Sequence, residues 1–156
     1  MSIKRFLLIG NQAQYLVNFR GVLLNDIHKL GYETHAAAPD FDLYPEAKKI
    51  LQDKGIRTHR IKFSRAGLNP LADLWACFHL LLLMRDLRPD LVLSYTVKPV
   101  IWGSLAGCLA RVPHRFALIT GLGYAFTRSV QGKRRFIAKI VRGLYHLALF
   151  LNNCPF

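Results

Sequence analysis

The segment "PDLVLSYTVKPVIWGSLAGCLA", from Pro89 to Ala110, decides how this chain is read. It opens with a near-continuously apolar run, Leu91 to Tyr95, of the kind found in strands covered on both faces. Thr96 and Lys98 follow, and "PVIWGSLAGCLA" then reads as a helix. A buried strand that hands over directly to a helix is the repeating unit of a parallel sheet. The handover carries a cation, Lys98, immediately before Pro99. An unpaired helix start already favours anions, so a lysine there adds a full charge to a site suited to phosphate. A solvent-facing lysine after a turn is the simpler alternative, and the residues alone leave both open.

The same alternation extends in both directions. "KRFLLIG" is a strand ending at Gly10, and "NFRGVLLNDIHKLG" a helix with Phe19, Val22, Leu23, Ile27 and Leu30 at helical spacing and Gly31 as terminator. "YETHAAAP" is a second strand closed by Pro39, "YPEAKKILQDKG" a helix ending at Gly55, and "IRTHRIKF" a third strand. "LNPLADLWACFHLLLLMRDLRP" is the strongest helix: Asn69 as N-cap, Pro70 at the first position, Asp73 at the positive end, Arg85 and Arg88 at the other. "HRFALIT" is a fifth strand and "GKRRFIAKIVRGLYHLALFL" a long last helix. The expected fold class is therefore α/β, a Rossmann-like doubly wound parallel sheet with helices on both faces. With no internal repeat and no linker, residues 1–156 read as one domain.

Composition narrows the function classes. A hydrophobic share of 52% with 20% charged residues excludes a disordered chain. The formal net charge is +13, and Asp90 is the last acidic residue. Beyond it stand Lys98, Arg111, Arg115, Arg128, Lys133, Arg134, Arg135, Lys139 and Arg142. Such a field suits phosphates, anionic lipid heads or nucleic acid, with plain solubility charge as the alternative. Cys77, Cys108 and Cys154 form neither a paired framework nor a metal-ligand spacing, which points to the reducing cytoplasm. "MSIKRFLLIG" has too short an apolar run for a secretion signal. "WACFHLLLLM", interrupted by His79, falls short of the roughly 18 residues a spanning helix needs.

In a parallel sheet of this kind, ligands gather where strands end. Those ends carry Gly10, Asn11, Asn18 and Arg20; Ser64, Arg65 and Gly67; Thr96 and Lys98; and "TGLGYAFTRSVQGKRR". Gly121 and Gly123 permit close backbone approach to a ligand. They lack the third glycine of a dinucleotide fingerprint and follow the fifth strand instead of the first, so a nicotinamide cofactor is not expected. No Walker lysine motif and no Gly-x-Ser-x-Gly elbow is present, and the six histidines are scattered without metal spacing. His79, inside an apolar helix, reads as a core or groove residue. In the last helix Arg135, Lys139, Arg142 and His146 fall on one stripe, either a solvated face or a face resting on an anionic bilayer. No nucleic-acid module is recognisable, so nucleic acid is not the expected partner.

Four segments together, "NFRG", "SRAGLNPLADL", "PDLVLSYTVKPVIWGSLAGCLARVP" and "LITGLGYAFT", resemble the N-terminal domain of bacterial family 4 glycosyltransferases. These are retaining enzymes of the two-domain GT-B architecture, and the likeness is greatest to undecaprenyl-diphosphate-sugar N-acetylgalactosaminyltransferases. It runs from the first strand to about Phe150. The resemblance implies a single GT-B half-domain on the acceptor side, in polysaccharide or glycan synthesis. Gly10, Asn11, Arg20, Thr96, Lys98, Gly121, Gly123 and Tyr124 match its cleft-lining positions. It also implies a nucleotide sugar as donor, no metal and no other cofactor. Implied partners are a lipid-linked acceptor and either a C-terminal donor domain or a separate donor-binding subunit. The basic residues Arg128, Lys133, Arg134, Arg135, Lys139 and Arg142 would meet the anionic inner face of the plasma membrane, giving a cytoplasmic, peripheral location. Many family members carry a histidine where this chain has "TGLG", so no catalytic residue is assigned. The donor domain lies outside this sequence, so the chain by itself is expected to be inactive. The rival expectation is a non-catalytic, membrane-associated scaffold that recruits a donor-binding chain.

Overall fold

The computed structural model describes residues 4–63, 70–120 and 133–152. Five strands and five helices alternate: β1 Arg5–Ile9, α1 Ala13–Lys29, β2 Glu33–Ala38, α2 Pro45–Asp53, β3 Arg57–Arg60, α3 Pro70–Leu87, β4 Leu91–Tyr95, α4 Val97–Leu109, β5 His114–Leu118 and α5 Lys133–Leu151. All strand pairs are parallel, in the order β3-β2-β1-β4-β5. The chain thus builds outward from β1 in one direction, then returns to build in the other.

Each strand of the centre is buried on both sides because its side chains alternate between two apolar layers. Phe6 and Leu8 of β1 pack with Leu16 and Leu24 of α1 and Leu51 of α2. Leu7 and Ile9 point to the opposite layer, with Leu80 and Met84 of α3 and Ala106 of α4. A third cluster joins α5 to α4 through Val100, Ile101, Val141, Tyr145 and Ala148, and Asn152 Nδ2 donates to Ser104 Oγ at 3.1 Å. The expected Rossmann-like α/β fold is therefore present. Gly31 at φ +88° and Gly55 at φ +76° end α1 and α2 in the left-handed conformation that side chains resist.

Two elements differ from the sequence expectation. α1 starts at Ala13, five residues before the expected Asn18, and its buried residues are Ala13, Leu16, Gly21 and Leu24. Of the five residues read at helical spacing, Ile27 packs partly against the core, whereas Phe19, Val22, Leu23 and Leu30 are exposed. The large side chains gave the louder periodicity, but small residues let the helix lie close to the sheet. β3 is confined to Arg57–Arg60; the Ile61 N–H still donates to the Ala38 carbonyl of β2 at 3.1 Å, and the buried Ile61 and Phe63 lie beyond the strand end.

A histidine pair, His35 buried and His59 half-buried, stitches β2 to β3. His35 Nδ1 lies 2.8 Å from His59 Nε2, and burial is the main reason that both titrate below the usual histidine range. His59 falls from 6.5 to about 4, lowered further by His35 and Arg57 and opposed by Asp86. His35 is lowered against the opposing pull of Glu33. The unfolded chain therefore binds protons more readily than the folded one between about pH 6.5 and pH 4. Stability is expected to be full near pH 7 and to fall on acidification through that window. Thermal midpoints measured at pH 7 and pH 4.5 should drop less for His59→Gln than for the natural chain; equal drops would refute the assignment.

Candidate active site

The reversal of strand order falls between β1 and β4, where the loops leaving adjacent parallel strands diverge and open a crevice. Gly10 and Asn11 follow β1 there, and Thr96 follows β4. Both α1 and α4 begin at this edge. The two helix starts are not equivalent. The Ala13 N–H at the start of α1 donates to Asp40 Oδ1 at 2.7 Å, so an internal carboxylate already holds the place at which dinucleotide-binding folds hold pyrophosphate. α4 has no side-chain cap. Its first turn offers the N–H groups of Val97 and Lys98, since Pro99 has none.

Lys98 is not a free surface cation. Its Nζ lies 2.7 Å from Asp73 Oδ1 of α3, with side-chain exposures of 16% for the lysine and 4% for the aspartate. Asp73, expected to serve its own helix end, is the buried counter-ion of Lys98. Among the described residues Asp73 engages one of the three lysine donors.

Tyr95 forms the floor. Its side chain is 3% exposed, and its hydroxyl has no hydrogen-bond partner among the described residues. Burial drives the phenol well above its ordinary pKa, so it stays protonated as a donor. A Cβ on Gly10 would stand 2.7 Å from Tyr95 Cε1, which explains the glycine. The Arg20 guanidinium lies over the ring, 5.4 Å from its centroid, in cation–π contact. Asn11 Oδ1, Arg20 Nε and Thr96 Oγ1 are likewise buried atoms without a partner. Unsatisfied buried polar atoms are uncommon in folded proteins, and these four gather at one strand edge among the described residues, which makes the edge a candidate ligand site.

Thr96 carries φ +71° and ψ 162°. For a β-branched residue this backbone is an outlier, costing on the order of 1–3 kcal/mol. It re-aims the chain between β4 and α4, so that the α4 start opens at the crevice.

Of the expected cleft residues, Gly10, Asn11, Arg20, Thr96 and Lys98 converge on this edge. Gly121, Gly123, Tyr124 and Arg128 lie outside the described residues, as do Ser64, Arg65 and Gly67. Lys133, Arg134 and Arg135 fall in the first turn of α5, and Lys139, Arg142 and His146 are exposed along it. Tyr95, Asp40 and Asp73 were not anticipated as site residues. Cys77 is buried, which pushes its thiol up to about 11, in keeping with a packing role. His79 meets Trp75 edge-on at 4.9 Å between ring centroids. Among the described residues no group of His, Cys, Asp or Glu could hold a metal ion.

The profile of the family described as "Glycosyl transferase 4-like" matches residues 5–151. The chain belongs to this family. Within the glycosyl transferase 4-like fold, the chain is similar to an N,N'-diacetylbacillosaminyl-diphospho-undecaprenol alpha-1,3-N-acetylgalactosaminyltransferase of Campylobacter jejuni, 35% identical over 103 residues. That match takes in 66% of this chain but only 27% of the relative. Among solved structures, Acinetobacter baumannii MurG superposes with a TM-score of 0.59 at 16% identity, over 88% of this chain and 39% of that one. A putative UDP-N-acetylglucosamine 2-epimerase from Listeria monocytogenes gives 0.64 at 13% identity, over 95% and 38%. These two share the fold.

Two substitutions separate a ligand site from ordinary core. Tyr95→Phe removes a buried hydroxyl with no partner and should raise stability by about 1 kcal/mol while weakening ligand binding. Gly10→Ala should destabilise by about 1–3 kcal/mol through the clash with the ring. Denaturant unfolding checks both; a Tyr95→Phe protein less stable than the natural one would show that the hydroxyl is structurally engaged.

Proposed function

We propose that this chain is the acceptor-side domain of a retaining glycosyltransferase that moves a sugar from a nucleotide sugar to an acceptor carried on undecaprenyl diphosphate or a similar lipid diphosphate. The observation that carries the reading is the strand-order reversal, where Lys98, held by Asp73, opens α4. The residues at the ends of β1 and β4 and on α1, Asn11, Tyr95, Thr96 and Arg20, carry buried polar atoms without a partner among the described residues. The likeness to the Campylobacter enzyme supplies the substrate class. In the transfer, the bond between the anomeric carbon and the leaving nucleoside diphosphate breaks and a bond to the acceptor hydroxyl forms. The hydroxyl proton leaves with the diphosphate. Negative charge grows on the leaving group, and a helix start and a lysine fixed in advance stabilise such charge without reorganising.

Gly10 and Asn11 line the cleft, Arg20 and Tyr95 form its wall, and Thr96 and Lys98 meet a diphosphate. Gly121, Gly123 and Tyr124 complete the rim in this reading. No metal is required. Donor binding falls to a second domain or subunit, and the cationic face of α5 carries the chain to the cytoplasmic side of an anionic membrane, as a peripheral protein. No helix among the described residues is long and apolar enough to cross one.

The test must respect the buried ion pair. Lys98→Ala alone would strand Asp73 and cost about 3–5 kcal/mol. The double variant Asp73→Asn, Lys98→Met removes both charges while keeping the volumes. Combined with a donor-side domain, a nucleotide sugar and a lipid diphosphate acceptor, it should transfer about 10²-fold more slowly at near-native thermal stability. Unchanged transfer would remove the anion role of Lys98. A stable complex on liposomes with no product from the natural chain would favour the scaffold.

A further inference from the structure

The two helix starts at the strand-order reversal differ in charge. At α1 the N-cap residue, Gln12, makes no side-chain cap. The Ala13 N–H donates instead to Asp40 Oδ1, 27 residues away, at 2.7 Å. Asp40 follows Pro39 at the exit of β2 and is only 6% exposed. Among the described residues no cation pairs with it, and its Oδ2 is buried without a hydrogen-bond partner. A helix start carries roughly half a positive charge, which a full carboxylate outweighs. The start of α1 is therefore electronegative.

The start of α4 is the reverse. It has no side-chain cap, and Asp73 balances the charge of Lys98. What remains is the positive character of two helix starts, because Asp73 lies in the first turn of α3 and Lys98 in the first turn of α4. Tyr95 lies between the two positions, with its ring against Gly10. Burial raises its phenol, opposed by Arg20 and reinforced by Asp40, so the field of the Asp40 carboxylate reaches the floor of the crevice.

The fold needs an acceptor at Ala13 but not a charged one. Asparagine caps a helix about as well as aspartate, and a neutral oxygen avoids the cost of burying a carboxylate. What the charge adds is repulsion of any anion that enters beside β1. We propose that Asp40 is a specificity-determining residue. Its carboxylate bars anions from the start of α1, and so holds the diphosphate of the ligand at α4 and turns the uncharged part toward α1. This rests on the anion position at α4 given above and adds the residue that makes that position exclusive.

Asp40→Asn keeps an oxygen for the Ala13 N–H and removes the charge. Asp40→Ser supplies a second neutral acceptor should the first variant disturb the fold, and thermal midpoints close to the natural value identify an intact protein. The probe is inorganic pyrophosphate, titrated against the full chain and followed residue by residue through backbone amide NMR. In the natural chain the Val97 and Lys98 amides should shift and the Ala13 amide should stay still. In the variants the Ala13 amide should also respond, with affinity there raised roughly tenfold. An Ala13 amide that responds equally in the natural chain and the variants would overturn the proposal, as would one that stays silent in a folded variant. Silence at Val97 and Lys98 throughout, with Ala13 responding only in the variants, would uphold the exclusion by Asp40 and remove the anion position at α4.

Discussion

The Lys98–Asp73 ion pair is the interaction on which the arrangement of this molecule turns. α3 and α4 both begin at the carboxyl edge of the sheet, so their positive ends are brought together, which is unfavourable without a negative charge between them. Asp73 supplies that charge from the first turn of α3, and Lys98 receives it in the first turn of α4. Burying such a pair carries a desolvation cost that close geometry offsets, and removing either partner leaves the cost without the compensation. The pair therefore fixes the starts of the two helices to each other, while Cys77, Leu80, Met84 and Ala106 pack the same two helices further along.

Around that pair the chain tolerates several locally unfavourable choices within a few residues. Thr96 sits in a backbone region that suits glycine, Tyr95 buries a hydroxyl without a partner, and Arg20 lies over an aromatic face with its Nε unpaired. Elsewhere the buried layers of the sheet are well matched. Other buried polar atoms without a hydrogen-bond partner, such as His28 Nδ1 and His79 Nε2, and the positive φ of Arg88 and Arg111 lie elsewhere. The strand end at Tyr95 and Thr96 nonetheless gathers several such choices within a few residues, as functional demand imposes on an otherwise consistent sequence.

The strands were legible because a parallel sheet covered on both sides leaves unbroken apolar runs such as "FLLI" and "LVLSY". Helix ends marked by Gly31, Gly55 and Pro70 were legible for the same local reason. The start of α1 was not, because Ala13 and Leu16 are quieter signals than Phe19 and Val22. Lys98 could be picked out by its place at a strand exit. Its partner could not, being 25 residues away on another helix, nor could Asp40, whose carboxylate reaches Ala13 across 27 residues. The left-handed backbone of Thr96 has no signature in residue type at all.

The margin of the sheet at β3 has a consequence of its own. Its four residues, Arg57, Thr58, His59 and Arg60, end the strand order and leave one ladder edge open. Arg57 and Arg60 project largely into solvent there, with side-chain exposures of 68% and 63%. Each arginine is paired with a carboxylate, Arg57 with Glu33 and Arg60 with Asp42. The margin thus presents bulky, solvated ion pairs in place of a flat apolar edge, a device that disfavours edge-to-edge pairing.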